Sequence, residues 1–100
     1  MRIGTTPTHY FDLPFSTDVI DGIEIVYCLD DKEIVTKAKS DCTLDGNTVS
    51  VKLTQEETFK FKDCEIAEIQ MRASTSDGTL MVSDIKRVTC KRCLFDEVMK

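Results

Sequence analysis

Thr48-Val49-Ser50-Val51-Lys52-Leu53 decides the fold. Val49, Val51 and Leu53 alternate with Thr48, Ser50 and Lys52, the period of two that sets one side of a strand against a core and the other against water. Asp45-Gly46-Asn47 just before it supplies residues that tolerate positive φ, which predicts a tight turn and a short partner strand around Asp41 to Leu44. The same alternation recurs downstream, where Ala67, Ile69, Met71 and Ala73 interleave with Glu68, Gln70, Arg72 and Ser74 and the strand stops at Ser76-Asp77-Gly78. From Thr79 to Cys90 the pattern is again β-rich, but its parity slips between Val82 and Ile85. One extra residue near Ser83-Asp84, a bulge, accounts for that slip.

Upstream, His9, Phe11, Leu13 and Phe15 alternate with polar neighbours, and Pro14 ends the strand's pairing or confines it to an edge. Ile23, Ile25 and Tyr27 alternate with Glu24, Val26 and Cys28. Both sets are largely apolar, which predicts a central strand covered on both faces. The polar run Leu29 to Glu33 then turns the chain so that Ile34 to Ala38 returns beside it. One stretch breaks the β pattern. Thr54 and Glu57 frame a capping box, in which the hydroxyl accepts the N3 amide and the carboxylate accepts the N-cap amide, so one or two helical turns should cross between sheets. About seven short strands at roughly 8 to 12 residue spacing with one helical turn predict an all-β, immunoglobulin-like sandwich. Its core should draw on Phe11, Leu13, Ile23, Ile25, Val49, Val51, Leu53, Phe59, Ile69, Met71 and Val88.

The chain has 100 residues, which suits a single domain spanning 1–100, with 1–6 and 96–100 expected as loose ends. Its apolar share of 41% supplies one core, and its net charge of −5 disfavours nucleic acid and anionic lipid as partners. No apolar run is long enough to span a membrane and the N-terminal residues carry no secretion signal, so the five cysteines, an odd number, are expected reduced. Cys28, Cys64 and Cys90 adjoin apolar runs, where a free cysteine behaves as a small buried hydrophobe.

No arrangement of residues points to a reaction. Cys90-Lys91-Arg92-Cys93 is a CxxC without a second pair to complete a tetrahedral zinc site, and it ends a strand instead of opening a helix, where a dipole would lower a thiol's pKa. The lone His9 sits in an alternating apolar set, and the paired acids Asp30-Asp31, Glu56-Glu57 and Asp96-Glu97 occupy a turn, a helix cap and the tail. No catalytic residues, metal ligands or cofactor are therefore expected, and the chain is not expected to be an enzyme. The one basic concentration, Lys86, Arg87, Lys91 and Arg92, is a candidate contact for an acidic protein partner.

Several phrases together resemble small proteins encoded in prophages and tailed phages of Gram-positive bacteria: His9-Tyr10-Phe11-Asp12-Leu13-Pro14-Phe15, Ile23-Glu24-Ile25-Val26-Tyr27, Asp41-Cys42-Thr43-Leu44, Val51 to Phe59, Glu68-Ile69-Gln70-Met71-Arg72 and Ser83-Asp84-Ile85. They span nearly the whole chain. Their order is also similar to that of the N-terminal sandwich domain of phage baseplate upper proteins. The resemblance implies a structural or accessory role in a tail or baseplate, with tail components or further copies of the chain as partners. It also implies residence in the bacterial cytoplasm during assembly and in the virion. The alternative is a small metal-binding or thiol-dependent regulatory protein using Cys90 and Cys93.

Overall fold

The computed structural model describes residues 1–95 and 98–99. Eight strands, β1 (Thr8–Asp12), β2 (Ile20–Leu29), β3 (Lys32–Ala38), β4 (Cys42–Asp45), β5 (Thr48–Lys52), β6 (Ile66–Thr75), β7 (Leu80–Val82) and β8 (Lys86–Thr89), form two antiparallel sheets. One α-helical turn, α1 (Gln55–Thr58), and two 3-10 turns, Thr17–Val19 and Lys39–Asp41, carry the chain between them. The first sheet has the order β1-β5-β4; the second runs β3-β2-β6, and the far side of β6 carries both β7 and β8. Counted as one broken line, β7 and β8 make the seventh strand of an all-β sandwich. Its allocation differs from the immunoglobulin constant-type pattern in one strand, since β2 lies between β3 and β6 in the second sheet.

The turns show why the hairpins close where they do. Asp45 pairs with Thr48, leaving Gly46-Asn47 as a two-residue loop, and Gly46 takes a φ of 59°, the first-position requirement of a type II′ turn. Between β2 and β3 the loop is Asp30-Asp31, with φ of 50° and 64°, so both aspartates adopt the left-handed conformation that a type I′ turn demands. The expected bulge is present. Ser83, Asp84 and Ile85 separate Val82 from Lys86, whereas only Gln70 and Met71 separate Arg72 from Ile69 on the opposing strand. The surplus residue is accommodated by Ser83, whose amide donates to Met71 O at 2.8 Å and whose Oγ accepts the Met71 amide at 3.0 Å.

The core lies between the sheets. Phe11, Val49 and Val51 from the first meet Ile25, Tyr27, Ile69 and Met71 from the second, with Leu53 and Phe61 sealing the α1 end. Nine of the eleven expected core residues are buried, and Phe59 and Val88 pack half-buried against the cluster. The expectation that β2 is covered on both faces is corrected. Ile23, Ile25, Tyr27 and Leu29 are buried, while Glu24, Val26 and Cys28 on the other face are only half-buried because no layer of the described residues packs outside the second sheet. At α1 the capping box forms as expected, with Glu57 N donating to Thr54 Oγ1 at 3.1 Å and Thr54 N to Glu57 Oε1 at 2.8 Å.

Residues 1–6, expected to be loose, are tied down over Met1 to Thr5. The Met1 amino group donates to Thr89 O at 2.7 Å, Lys91 N to Met1 O at 2.8 Å and Ile3 N to Lys91 O at 2.9 Å, which covers the outer edge at the end of β8 and buries Ile3. Buried Thr58 secures the next two residues: its hydroxyl donates to Thr5 O at 2.9 Å and accepts from Gly4 N at 3.0 Å. Gly4 has a φ of 84°, and a Cβ there would stand 3.1 Å from the Phe59 ring, so only glycine suits the position. The expectation for 96–100 falls largely on Asp96, Glu97 and Lys100, outside the described residues. No helix among the described residues is long and apolar enough to cross a membrane.

Candidate interaction surface

The four basic residues singled out in the sequence do not form one patch. Lys86 and Arg87 are neighbours on β8, so their side chains leave opposite faces of the sheet. Lys86 opposes Ile69 on the inner face, where its Nζ donates to Tyr10 O and lies 4.6 Å from the centroid of the Phe11 ring. That lysine fastens β8 to β1 across the sandwich. Arg87 opposes Glu68 on the outer face and pairs with it at 3.3 Å. Lys91 and Arg92 are exposed and are joined there by Arg2, whose Nη1 donates to Arg92 O at 2.8 Å. The assembled basic group is therefore Arg2, Lys91 and Arg92. Arg2 lies about ninety positions from its companions in the chain, and no local signal connects them.

The chain leads from this basic group directly into an apolar groove, since Arg92 precedes Cys93 and Arg2 lies two residues before Gly4. Gly4, Gln55, Phe59 and Cys93 line it together with Leu94, Phe95, Val98 and Met99, which carry exposed apolar side chains. The Met99 amide donates to Gln55 Oε1 at 2.9 Å, which holds the end of the chain over α1. A chain that is net acidic thus presents apolar side chains next in sequence to three basic residues, with the Asp63 carboxylate accepting the Arg92 amide among them at 2.8 Å. That combination suits an apolar protein segment flanked by acidic residues.

The groups with reactive chemistry are placed for structure. His9 Nδ1 lies 2.7 Å from the Tyr27 hydroxyl, and the two rings pack with centroids 5.5 Å apart. Burial pushes the Tyr27 hydroxyl up, helped by Glu57 and Cys42, so it stays protonated. Burial, the amino terminus and Lys86 together hold His9 below its ordinary value, which favours the neutral ring.

All five cysteines are free. Cys90 is fully buried against β6, and its thiol is pushed up mainly by burial, whereas Cys93 lies half-buried at the groove. Cys28 is half-buried. Cys64, expected to be buried, is instead exposed, because it occupies a turn with a φ of 65° that points the side chain away from the core. Among the described residues no three His, Cys, Asp or Glu side chains converge as a metal site.

The sheet edges differ in their defences. β1 is flanked by Pro7 and Pro14, β3 carries Lys32, Glu33 and Lys37, and β4 is a four-residue strand preceded by Asp41 and ending on Asp45. β8 is latched to Tyr10 by Lys86 and covered beyond Thr89 by the N-terminal residues. Only β7 has neither charge nor proline nor cover among the described residues. No protein-family profile, no curated protein sequence and no solved structure matches the chain.

Proposed function

We propose that the protein is a non-enzymatic interaction module, a structural or accessory protein of a phage tail or baseplate that docks onto another protein during particle assembly. The observation that carries the docking reading is the exposed apolar end, where Leu94, Phe95 and Met99 stand in water beside the Phe59 groove and the Arg2-Lys91-Arg92 group. Exposing such side chains is costly unless a partner covers them. The phage setting rests on the resemblance of the sequence phrases given above. A metal-binding or thiol-regulatory role for Cys90 and Cys93 is supported less well, because burial keeps Cys90 protonated and away from an incoming ion or substrate.

Deleting the gene from the inducible prophage that carries it tests the proposal. Defective assembly or loss of infectivity is the expected result. Normal infectious particles, with the protein missing from wild-type virions, overturn it. Elemental analysis of protein purified without chelator tests the rival reading. Stoichiometric zinc, lost when both cysteines are replaced, would favour that reading.

A further inference from the structure

We propose that β7 is a seam at which two copies of this chain join, edge to edge, into one continuous sheet. The inference rests on the docking reading above and names a partner and a second contact for it. Thr75 N donates to Thr79 O at 2.9 Å and Ser83 N to Met71 O at 2.8 Å, so Thr79, Met81 and Ser83 direct their backbone groups at β6. By the alternation of an antiparallel ladder, Leu80 and Val82 direct theirs the other way, toward an edge with no partner among the described residues. The side chains of the same two residues are 78% and 61% exposed on the outer face. Four unpaired polar backbone groups and two apolar side chains on an uncharged strand form a template for strand addition.

The chemistry of the edge selects a second copy. An antiparallel two-fold pairing centred on Met81 sets Leu80 of each chain opposite Val82 of the other, in the register where both exchange backbone hydrogen bonds. The two Leu80 and two Val82 side chains then cover one another on the outer face. In this register Thr79 faces Ser83, and Asp84 faces Gly78, so no like charges stand directly opposed in a chain of net charge −5. A one-pair shift in either direction loses the match, setting Leu80 against Asp84 or Val82 against Gly78. The bulge at Ser83 to Ile85 limits the seam by turning the chain into β8, which carries Lys86 and Arg87 and is covered by the N-terminal residues from Thr89 on.

Light scattering coupled to size exclusion tests the seam with the intact chain. Wild-type protein at tens of micromolar should run near twice 11.3 kDa. Leu80→Lys and Val82→Glu should each run as monomers with an unchanged circular dichroism spectrum, since both side chains lie in water. Mixing the two variants should restore a dimer, because the register sets the new lysine opposite the new glutamate. A monomeric wild type at several hundred micromolar, or a dimer indifferent to both substitutions, overturns the proposal. Either result leaves the docking reading to be judged separately, by whether the protein enters particles.

Discussion

His9 on β1 and Tyr27 on β2 meet across the two sheets, with His9 Nδ1 2.7 Å from the tyrosine hydroxyl. Protonation of His9 would bring a positive charge into the half-buried space beside that hydroxyl. Burial, the amino terminus and Lys86 depress the folded-state pKa, so above about 6.5 neither state holds the proton and stability is level. Below that the unfolded chain takes up a proton that the fold resists, and stability falls until the folded-state value is passed. Thermal unfolding from pH 8 to pH 5 should show this decline. His9→Gln should remove the component that begins near 6.5, and Tyr27→Phe should cost about 1 to 2 kcal/mol at pH 8 by leaving His9 Nδ1 without its partner.

Lys37 on β3 reaches Glu57 of the capping box at 2.8 Å, with side chains 10% and 21% exposed. Burial raises the Glu57 carboxyl, but the hydrogen bond from Lys37 and the amide of Thr54 outweigh it and hold the group below its ordinary value. The stability this supplies is present above the unfolded carboxyl pKa of about 4.3 and is lost as pH falls below it. Glu57→Gln should cost about 1 to 3 kcal/mol at pH 7 in denaturant titrations, less than a fully dry pair, and should flatten the acid limb.

Thiol reactivity should follow exposure. In non-reduced native protein, alkylation followed by mass spectrometry should label Cys64 first and Cys90 last. Cys28 and Cys42 should be slowed because burial and nearby carboxylates push their thiols up. No Cys90 to Cys93 bridge should be found. Early labelling of Cys90, or a resting disulfide, would contradict the packing of this strand end.

The turn of Asp30 and Asp31 holds two non-glycine residues in the left-handed region. Replacing the pair by Asn-Gly supplies the residues this turn type prefers and should stabilise the fold by about 1 kcal/mol, read as an upward shift of the unfolding midpoint.

What the sequence makes legible is local. The alternation of Val49 and Val51, or Ile69 and Met71, reports burial because neighbouring residues of a strand must face opposite ways. Thr54 and Glu57 report a helix start because both halves of the cap lie within four residues. The slip at Ser83-Asp84 reports the bulge for the same reason. What it hides depends on partners distant in the chain. Lys37 is buried only because Glu57 waits for it, and Met1 to Ile3 are ordered only because Thr89 and Lys91 lie beside them. Met81, not Leu80 or Val82, packs toward the core, since pairing with Ala73 sets the face. The split of Lys86 from Arg87 was readable in principle from strand alternation, whereas the union of Arg2 with Lys91 and Arg92 was not.

Proteomics of gradient-purified phage particles tests the proposed docking role most directly. Wild-type particles should contain the protein at a fixed ratio to tail or baseplate components. Particles from a strain carrying Leu94→Asp and Phe95→Asp should lack it, although the variant remains folded in the lysate. Absence of the protein from wild-type particles, with particle yield and infectivity unchanged on deletion of the gene, would contradict the account.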